Sequence, residues 1–317
     1  MANISEHASR APKFSRREIL KLLIAAGAGL ASGPVRAAGD NQPLLKRTIP
    51  RSGEQVPAVG LGTYQTFDVG SGASARAGVK EVLRRFVELG GRVVDSSPMY
   101  GNAETAVGDL AAELGVQKSL FLATKVWTDG RDAGIRQMRT SFQRLRTDRI
   151  DLMQVHNLVD LQTHMATLRE WKKAGKIRYL GITHYHAGAY NELEQLVKTK
   201  EFDFVQFNYS IGEREAEQRL LKVSADSGTA VLVNRPFAQA GLFTKVRGKP
   251  LPAWAAEFDC ESWAQFFLKY ILAHPAVTCV IPATRNPSHL LDNMRAGIGR
   301  LPNAEMRRRM VEHMEQL

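Results

Sequence analysis

A regular alternation of short apolar runs with amphipathic stretches, between about residue 58 and residue 297, is the feature that most constrains the fold. Eight β-prone runs are each followed by a segment whose apolar residues recur at helical spacing. Strands that are separated by single helices pair in parallel, and eight of them favour a closed barrel over an open sheet. The sequence therefore predicts an α/β protein with a (β/α)8 TIM barrel. An open doubly wound sheet is the alternative.

The predicted elements account for nearly all of the chain after residue 37. The predicted strands are 58–64, 93–95, 120–124, 150–155, 176–182, 204–207, 230–233 and 277–281. The predicted helices are 74–89, 103–114, 135–145, 161–174, 190–198, 213–225, 260–273 and 288–296. An N-terminal β-hairpin at 45–57 precedes the barrel, and an extra C-terminal helix at 303–316 follows it. Residues 38–317 are therefore assigned to one barrel domain.

The first 37 residues contain the parts of an export signal. The pair Arg16-Arg17 precedes a weakly apolar run at 22–31, and small residues surround Ala37. This arrangement resembles a twin-arginine signal peptide, whose pathway carries folded proteins, although Ile19 stands where the motif prefers Phe. We therefore expect residues 1–37 to be a cleaved signal and the twin-arginine export machinery to be a partner. The mature protein is then periplasmic or exported from a bacterium.

The same segment is a poor candidate for a membrane span. Its apolar run covers only residues 22–31, whereas a spanning helix needs about 20 apolar residues. No stable membrane insertion is therefore expected, and an uncleaved interfacial anchor is the alternative.

The charge balance indicates an anionic ligand rather than nucleic acid. The chain has a formal net charge of +11, and the first 37 residues contribute six Lys/Arg and two Asp/Glu, so the remainder keeps +7. No basic stripe interleaved with aromatic residues accompanies this charge, and no nucleic-acid-binding motif is present. A basic surface that attracts a polyanionic dinucleotide is the simpler interpretation.

The cysteines and histidines predict neither a disulfide framework nor a metal centre. Cys260 falls in a predicted helix and Cys279 in a predicted strand, so both are expected to be small buried residues. The histidines lack the Cys or Glu neighbours of a metal site, which also removes support for a metal-dependent barrel hydrolase.

Polar residues follow three successive apolar strands. Asp95, Lys125 and His156 end the second, third and fourth strands, and Tyr100 lies on the loop after the second. In a barrel these strand ends meet at one mouth, and neighbouring strands lie about 4.8 Å apart, so the four side chains are expected to cluster. Each residue taken alone also has a structural alternative. Asp95 could cap a helix, Lys125 could lie on the surface, His156 could be a core residue, and Tyr100 could serve only in packing.

This cluster suits carbonyl reduction. A cationic Lys125 beside Tyr100 favours the phenolate and is expected to lower the pKa of Tyr100 from its usual value near 10. Asp95 is expected to pair with Lys125 and keep it protonated. Tyr100 then delivers a proton to a carbonyl oxygen as hydride reaches the carbon, and His156 orients that oxygen by a hydrogen bond.

Three sequence stretches identify the family that the chain resembles. They are 59–63 (VGLGT), 95–104 and 151–157 (DLMQVHN). In the second stretch Tyr100 lies five residues after Asp95 and directly before GNAE. These stretches resemble the aldo-keto reductases. The resemblance implies a catalytic tetrad of Asp95, Tyr100, Lys125 and His156. It also implies NADPH bound across the barrel mouth without a Rossmann fold, with NADH possible.

The resemblance further implies a set of cofactor contacts. The matching positions are Asn157, Thr183, His184 and Gln206 near the nicotinamide amide, Asn234 and Arg235 after the seventh strand, and Thr284, Arg285, His289 and Asn293 after the eighth. Family members usually have Ser and Asn where Thr183 and His184 stand, and a stacking tyrosine after strand seven. They also have an arginine near the position of His289, and Arg285 is expected to supply that guanidinium.

The remaining site prediction concerns the substrate. Tyr64, Phe67 and Trp127 lie on predicted mouth loops and are expected to wall an apolar pocket for a small carbonyl compound, with packing in the core as the alternative.

The main functional hypothesis is an NAD(P)H-dependent carbonyl reductase. The second is a nucleotide-binding, redox-sensing module with little or no turnover. Because free NADPH is not expected outside the cytoplasm, we expect cofactor to be loaded before export. The oligomeric state is not predicted.

Overall fold

A computed structural model describes residues 43–317 of the 317-residue chain. Eight parallel strands form the central sheet in chain order: β3 (Leu61–Gly62), β4 (Val93–Asp95), β5 (Phe121–Val126), β6 (Ile150–His156), β7 (Ile177–Thr183), β8 (Phe204–Asn208), β9 (Ala230–Asn234) and β10 (Val277–Val280). An antiparallel hairpin of β1 (Lys46–Thr48) and β2 (Gln55–Pro57) precedes them. The predicted hairpin and the predicted parallel strands are therefore confirmed.

The helices alternate with these strands as the sequence predicts. They are α1 (Ala73–Glu88), α2 (Ala103–Glu113), α3 (Arg131–Arg144), α4 (Leu161–Lys173), α5 (Tyr190–Lys198), α6 (Leu220–Asp226), α7 (Gly241–Lys245), α8 (Trp263–Leu272), α9 (Pro287–Arg295) and α10 (Ala304–Gln316). The last of these is the expected extra C-terminal helix. Within residues 43–317, no helix has both the length and the apolar character that crossing a bilayer requires. The predicted signal at 1–37 lies outside the described residues.

The sheet closes into a barrel where its first and last strands meet. Parallel bridges join Val59 to Val280 and Gly62 to Ala283. Gly60 N–H donates to the carbonyl of Val280 at 2.8 Å, which ties the two edges together. The predicted TIM barrel is therefore confirmed, and the open sheet is excluded.

The inside of the barrel is apolar toward the amino-terminal ends of the strands. Side chains on a strand alternate between its two faces, so every second residue points inward. The inward set forms one buried cluster of Ile49, Val56, Val93, Phe121, Ala123, Leu152, Tyr179, Phe204, Ala230, Leu232, Cys279 and Ile281. A second, larger cluster fills the space between the strands and the surrounding helices.

The hairpin plugs the amino-terminal end of the barrel. Ile49 and Val56 are fully buried and belong to the inward cluster. The hydroxyl of Tyr179 lies 2.8 Å from Ser52 Oγ and 2.8 Å from Glu54 Oε2, so the hairpin is also tied to β7 by polar contacts. With this end filled, the carboxyl-terminal end is left as the open mouth.

Three predicted helices differ in extent from those observed, and α7 was not predicted. The helix predicted at 135–145 begins earlier, at Arg131. The stretch 213–225 is divided into a 3-10 turn at Glu215–Glu217 and the shorter helix α6. The stretch 260–273 becomes helical only at Trp263, because the Ser262 side chain accepts a hydrogen bond from Gln265 N at 3.0 Å and caps the helix there. Cys260 consequently lies before α8, although both cysteines are buried and free as expected.

The glycines of the 59–63 stretch allow the barrel to close. A Cβ atom at Gly62 would lie 2.7 Å from the carbonyl oxygen of Ile281, and one at Gly60 would lie 2.9 Å from that of Val93. Both contacts are with backbone atoms, which have little freedom to move aside. Close approach of neighbouring strands is therefore the reason for glycine at both positions.

We predict that Gly62→Ala lowers the free energy of unfolding by about 1–3 kcal/mol, because the added methyl group pushes β3 away from β10. Urea denaturation of the purified protein measures this change. Gly70→Ala is the matched control, since a Cβ atom at Gly70 has no neighbour within 4 Å. Equal stability of the two variants would show that the seam tolerates a side chain.

Candidate active site

The open end of the barrel holds a cavity of about 1130 Å³. Its walls include most of the side chains predicted from the sequence. Those lining it are Tyr64, Asp95, Tyr100, Trp127, His156, Asn157, Thr183, Gln206, Asn234, Arg235, Thr284, His289 and Asn293. The cavity therefore combines the predicted catalytic, cofactor and substrate residues in one space.

The alternation along each strand explains why polar side chains converge there. On β5, Phe121 and Ala123 belong to the apolar inward cluster, and Lys125 is the next residue on the same face. On β6, Leu152 is followed on its face by Gln154 and His156. The inward face thus changes from apolar to polar at the carboxyl-terminal ends of the strands, which is where β/α barrels place their active sites.

Lys125 and Asp95 form a buried ion pair beneath the cavity. Lys125 Nζ lies 2.7 Å from Asp95 Oδ2 and donates to the Ser96 carbonyl at 2.7 Å. Gln154 Nε2 donates to the other carboxylate oxygen, Asp95 Oδ1, at 3.1 Å. Burial alone would lower the pKa of Lys125, but the Asp95 carboxylate and Tyr100 together outweigh burial, so the pKa is raised. Lys125 is therefore a fixed cation.

Tyr100 is next to this cation, but its pKa does not change as predicted. Lys125 Nζ lies 5.1 Å from the centre of the phenol ring. Burial raises the pKa of Tyr100, and the opposing effect of Lys125 is smaller, so the net shift is upward. The expectation of a lowered pKa is wrong because it left out desolvation of the phenolate. Tyr100 consequently stays protonated at neutral pH, the state that a proton donor needs.

His156 is held as a neutral ring beside Tyr100. The two ring centres are 6.0 Å apart, and His156 Nδ1 lies 3.1 Å from Ser97 Oγ. Burial, followed by the positive charge of Lys125, lowers the pKa of His156 to about 3. A neutral imidazole at this position can donate one hydrogen bond without adding a charge.

Three buried amide atoms of cavity-lining residues have no hydrogen-bond partner within residues 43–317. They are Asn157 Oδ1 and Asn234 Oδ1, which are acceptors, and Gln206 Nε2, a donor. The other end of the Gln206 amide is fixed, because Thr183 Oγ1 donates to Gln206 Oε1 at 2.7 Å. A primary carboxamide presents the complementary donors and acceptor. These residues therefore fit a nicotinamide group.

The loop after β9 provides a cation to the cavity. Arg235 lines the cavity and donates to the Tyr185 carbonyl at 2.8 Å, and Asn234 Nδ2 donates to the His184 carbonyl at 3.0 Å. Within residues 43–317, Arg235 forms no ion pair with a carboxylate. Its φ of 51° and that of Ala240, 70°, are left-handed, which holds the loop in a sparsely populated conformation.

The loop after β10 provides a hydroxyl group to the cavity, and the following helix α9 provides a carboxylate. Thr284, His289 and Asn293 line the cavity. Asp292 also lines it, and Ser262 Oγ and Gln265 Nε2 donate to its carboxylate, each at 2.7 Å. The sequence had not indicated Asp292.

Four predicted site residues do not line the cavity: Lys125, which lies beneath it, and three others. Phe67 is fully buried and packs in the cluster between strands and helices, so the packing alternative holds for it. His184 does not line the cavity, and its Nδ1 accepts a hydrogen bond from Tyr185 N at 3.0 Å. Arg285 is exposed to solvent two residues before α9 begins, and it does not line the cavity.

Several cavity residues had no signal in the sequence. The apolar ones are Met99, Tyr185, Phe237, Phe243 and Trp263, which lie on loops or at helix starts where no strand period places them. Gln154 and Ser97 were missed although they lie in the stretches that carried the family resemblance. For Gln154 the available signal was that it lies on the same inward face of the strand as His156. For Ser97 it was the position between Asp95 and Tyr100. Within residues 43–317, no group of three or more His, Cys, Asp or Glu side chains forms a metal site.

Comparison with known proteins agrees with this geometry. A sequence model described as "Aldo/keto reductase family" matches residues 58–311. Methylglyoxal reductase YeaE of Escherichia coli (strain K12) is 30% identical over 271 residues, which cover 83% of this chain and 93% of that protein. An aldo/keto reductase from Klebsiella pneumoniae solved with NADP and acetate has a TM-score of 0.71 at 25% identity, covering 83% of this chain and 93% of that one. A structure of a K. pneumoniae aldo-keto reductase with NADPH also has a TM-score of 0.71 at 25% identity, covering 86% and 95%.

We predict that His156 makes the protein less stable in acid. Its folded pKa of about 3 lies below the unfolded value near 6.5, so between these values only the unfolded chain binds the proton. The stabilisation is complete above pH 6.5 and is lost as the pH falls toward 3. Between pH 7.5 and pH 5, His156→Asn should therefore lose about 2 kcal/mol less free energy of unfolding than the wild type.

Urea denaturation at the two pH values measures this difference. His289→Asn, which replaces an exposed histidine of the same cavity, is the matched control for loss of a ring from the cavity wall. If His156→Asn and the wild type lose equal stability on acidification, His156 is not held neutral in the folded protein.

Proposed function

Because the chain belongs to the aldo/keto reductase family, we propose that its cavity reduces an aldehyde or ketone to an alcohol with Tyr100 as the proton donor. The observation that carries this proposal is the contact of a protonated phenol with a buried Lys125–Asp95 pair at the cavity floor. A nucleotide-binding module without turnover has no use for that arrangement.

Each residue of the cluster has a distinct part in the reaction. NADPH supplies the hydride when it is bound. The Tyr100 hydroxyl donates its proton to the carbonyl oxygen, and the Lys125 cation stabilises the phenolate that remains on Tyr100. Asp95 holds Lys125 in place, and Gln154 in turn holds the Asp95 carboxylate. His156 orients the carbonyl oxygen by a hydrogen bond from its neutral ring.

The proposed cofactor is NADPH. Asn157 Oδ1 and Gln206 Nε2 are available to accept from and donate to the nicotinamide carboxamide. Arg235 and the Thr284 hydroxyl are the cavity groups best suited to phosphate oxygens. The structures of the two K. pneumoniae relatives contain NADP and NADPH, which supports the phosphorylated form.

The proposed substrate is a small, uncharged carbonyl compound. Tyr64, Met99 and Trp127 line the cavity beside Tyr100 and His156, and all three side chains are apolar or aromatic and partly exposed. The Tyr64 and Tyr100 rings are 4.9 Å apart, and the Trp127 ring is 6.4 Å from that of His156. An aryl or short alkyl group on the carbonyl carbon would be buried among these rings.

We further propose that residues 1–37 direct export by the twin-arginine pathway. The support is the Arg16-Arg17 pair with the apolar run and small residues that follow it. Every strand and helix from β1 to α10 lies within 46–316, so removal of residues 1–37 leaves the barrel whole. A pathway that carries folded proteins would let the barrel bind NADPH in the cytoplasm before it crosses.

For the reaction, we predict that Tyr100→Phe binds NADPH as tightly as the wild type but reduces aldehydes at least about 100-fold more slowly, because only the proton donor is lost. Fluorescence titration with NADPH and NADH measures binding, and NADPH consumption with benzaldehyde and methylglyoxal measures turnover. Tyr179→Phe is the control, since it removes a hydroxyl at the opposite end of the barrel. Wild-type rates in Tyr100→Phe would exclude Tyr100 as the donor.

For export, we predict that replacing both Arg16 and Arg17 by Lys retains the full-length protein in the cytoplasm. The wild type should be found in the periplasm with a mass that begins at Ala38, as measured by fractionation and mass spectrometry. Changing the nearby Arg10 to Lys is the control. Periplasmic protein that carries no nucleotide would contradict loading before export.

A further inference from the structure

Ser97 occupies a position behind the catalytic histidine. It lies on the loop after β4, between Asp95 and Tyr100, and its side chain is fully buried. Ser97 Oγ is 3.1 Å from His156 Nδ1, and the Met99 backbone N–H donates to the same oxygen at 3.5 Å. The His156 ring lines the cavity, and within residues 43–317 its other nitrogen, Nε2, forms no hydrogen bond.

The tautomer of His156 decides what the ring can do at the cavity. A neutral imidazole carries one proton, on either Nδ1 or Nε2. With the proton on Nε2, the ring donates a hydrogen bond to a substrate carbonyl oxygen. With the proton on Nδ1, Nε2 presents a lone pair to that oxygen and repels it. Only the Nε2–H tautomer is therefore useful for carbonyl reduction.

The surroundings of Ser97 select between these tautomers. A hydroxyl has one proton to donate and two lone pairs. Met99 N–H already donates to Ser97 Oγ, and within residues 43–317 His156 Nδ1 is the acceptor within reach of the Ser97 proton. If Nδ1 carried the proton, the Ser97 hydroxyl proton would be buried without an acceptor, which is costly. The Ser97 hydroxyl therefore donates and Nδ1 accepts.

We propose that Ser97 is a positioning residue that fixes His156 in the Nε2–H tautomer by donating its hydroxyl proton to Nδ1. The functional part of this assignment rests on the carbonyl reduction proposed above. Alanine at position 97 would fill most of the same space but would leave His156 Nδ1 buried without a donor. The ring would then be free to change tautomer or to rotate.

The tautomer is measured directly by NMR on the full-length protein labelled with 15N-histidine. Long-range 1H–15N spectra between pH 6 and pH 8 distinguish a protonated ring nitrogen from a bare one, and loss of a signal set in His156→Asn assigns the residue. We expect a bare Nδ1 and a protonated Nε2 in the wild type. Finding the proton on Nδ1 in the wild type would overturn the proposal, with no variant required.

Kinetics test whether the tautomer matters for turnover. Ser97→Ala should lower kcat with NADPH and benzaldehyde about tenfold, the effect of losing one buried hydrogen bond, while the Kd for NADPH stays unchanged. In the spectrum of Ser97→Ala, the 15N shifts of the two His156 ring nitrogens should either average or show the proton on Nδ1. Ser97→Thr, which keeps a hydroxyl, should restore the wild-type spectrum and most of kcat. Ser224→Ala, an equally buried serine whose hydroxyl donates to the Leu220 carbonyl within α6, is the control.

The outcomes separate this proposal from the proposed function. A Ser97→Ala protein with an unchanged spectrum and unchanged kcat refutes the role of Ser97 and leaves the reductase proposal intact. A wild type with the expected tautomer but no reduction of any carbonyl supports the Ser97 contact and refutes the reductase proposal. A threonine variant as slow as the alanine variant, with the wild-type tautomer restored, shows that the tautomer does not limit turnover.

Discussion

The buried ion pair of Lys125 and Asp95 is the interaction on which the rest of the site depends. Removing two charges from water costs several kcal/mol for each ion, and good geometry with further hydrogen bonds must offset that cost. Here the Ser96 carbonyl and the Gln154 amide provide those bonds, so both ions have additional partners. The pair depends on strand register, since three adjacent strands hold Asp95, Lys125 and Gln154 at bonding distance.

The charge of Lys125 opposes the effect of burial on the pKa of Tyr100 but adds to the effect of burial on the pKa of His156. At Tyr100 burial favours the protonated phenol, and the charge of Lys125 opposes that effect without overcoming it. At His156 burial and the charge act together, and both favour the neutral ring. The result is a pair of uncharged hydrogen-bond donors beside one fixed positive charge. Carbonyl reduction benefits from this combination, because hydride addition to the carbon develops negative charge on the oxygen, and the proton from a neutral donor removes it.

The spacing of apolar residues in the sequence was sufficient to predict the fold and most of the site, because both depend on the alternation of side chains along strands. Asp95, Lys125 and His156 were found as the residues that end apolar strands, and the structure places all three together. Loop geometry was not predictable in this way. Arg235 and Ala240 adopt left-handed conformations, and Phe67 turns into the core, neither of which follows from local pattern. The direction of the Tyr100 pKa shift was missed because burial depends on cavity depth, which no short stretch encodes.

The inward face of each strand is divided along its length, apolar near the hairpin plug and polar near the mouth. Residues that resist unfolding and residues that meet the ligand therefore occupy separate layers of the same eight strands. Substitutions of exposed cavity-wall residues such as Tyr64, Met99 and Trp127 have little effect on folding, so one scaffold can acquire new specificities over evolutionary time. The layer near the hairpin tolerates less change, because the hairpin, Tyr179 and Gly60 are closely packed there.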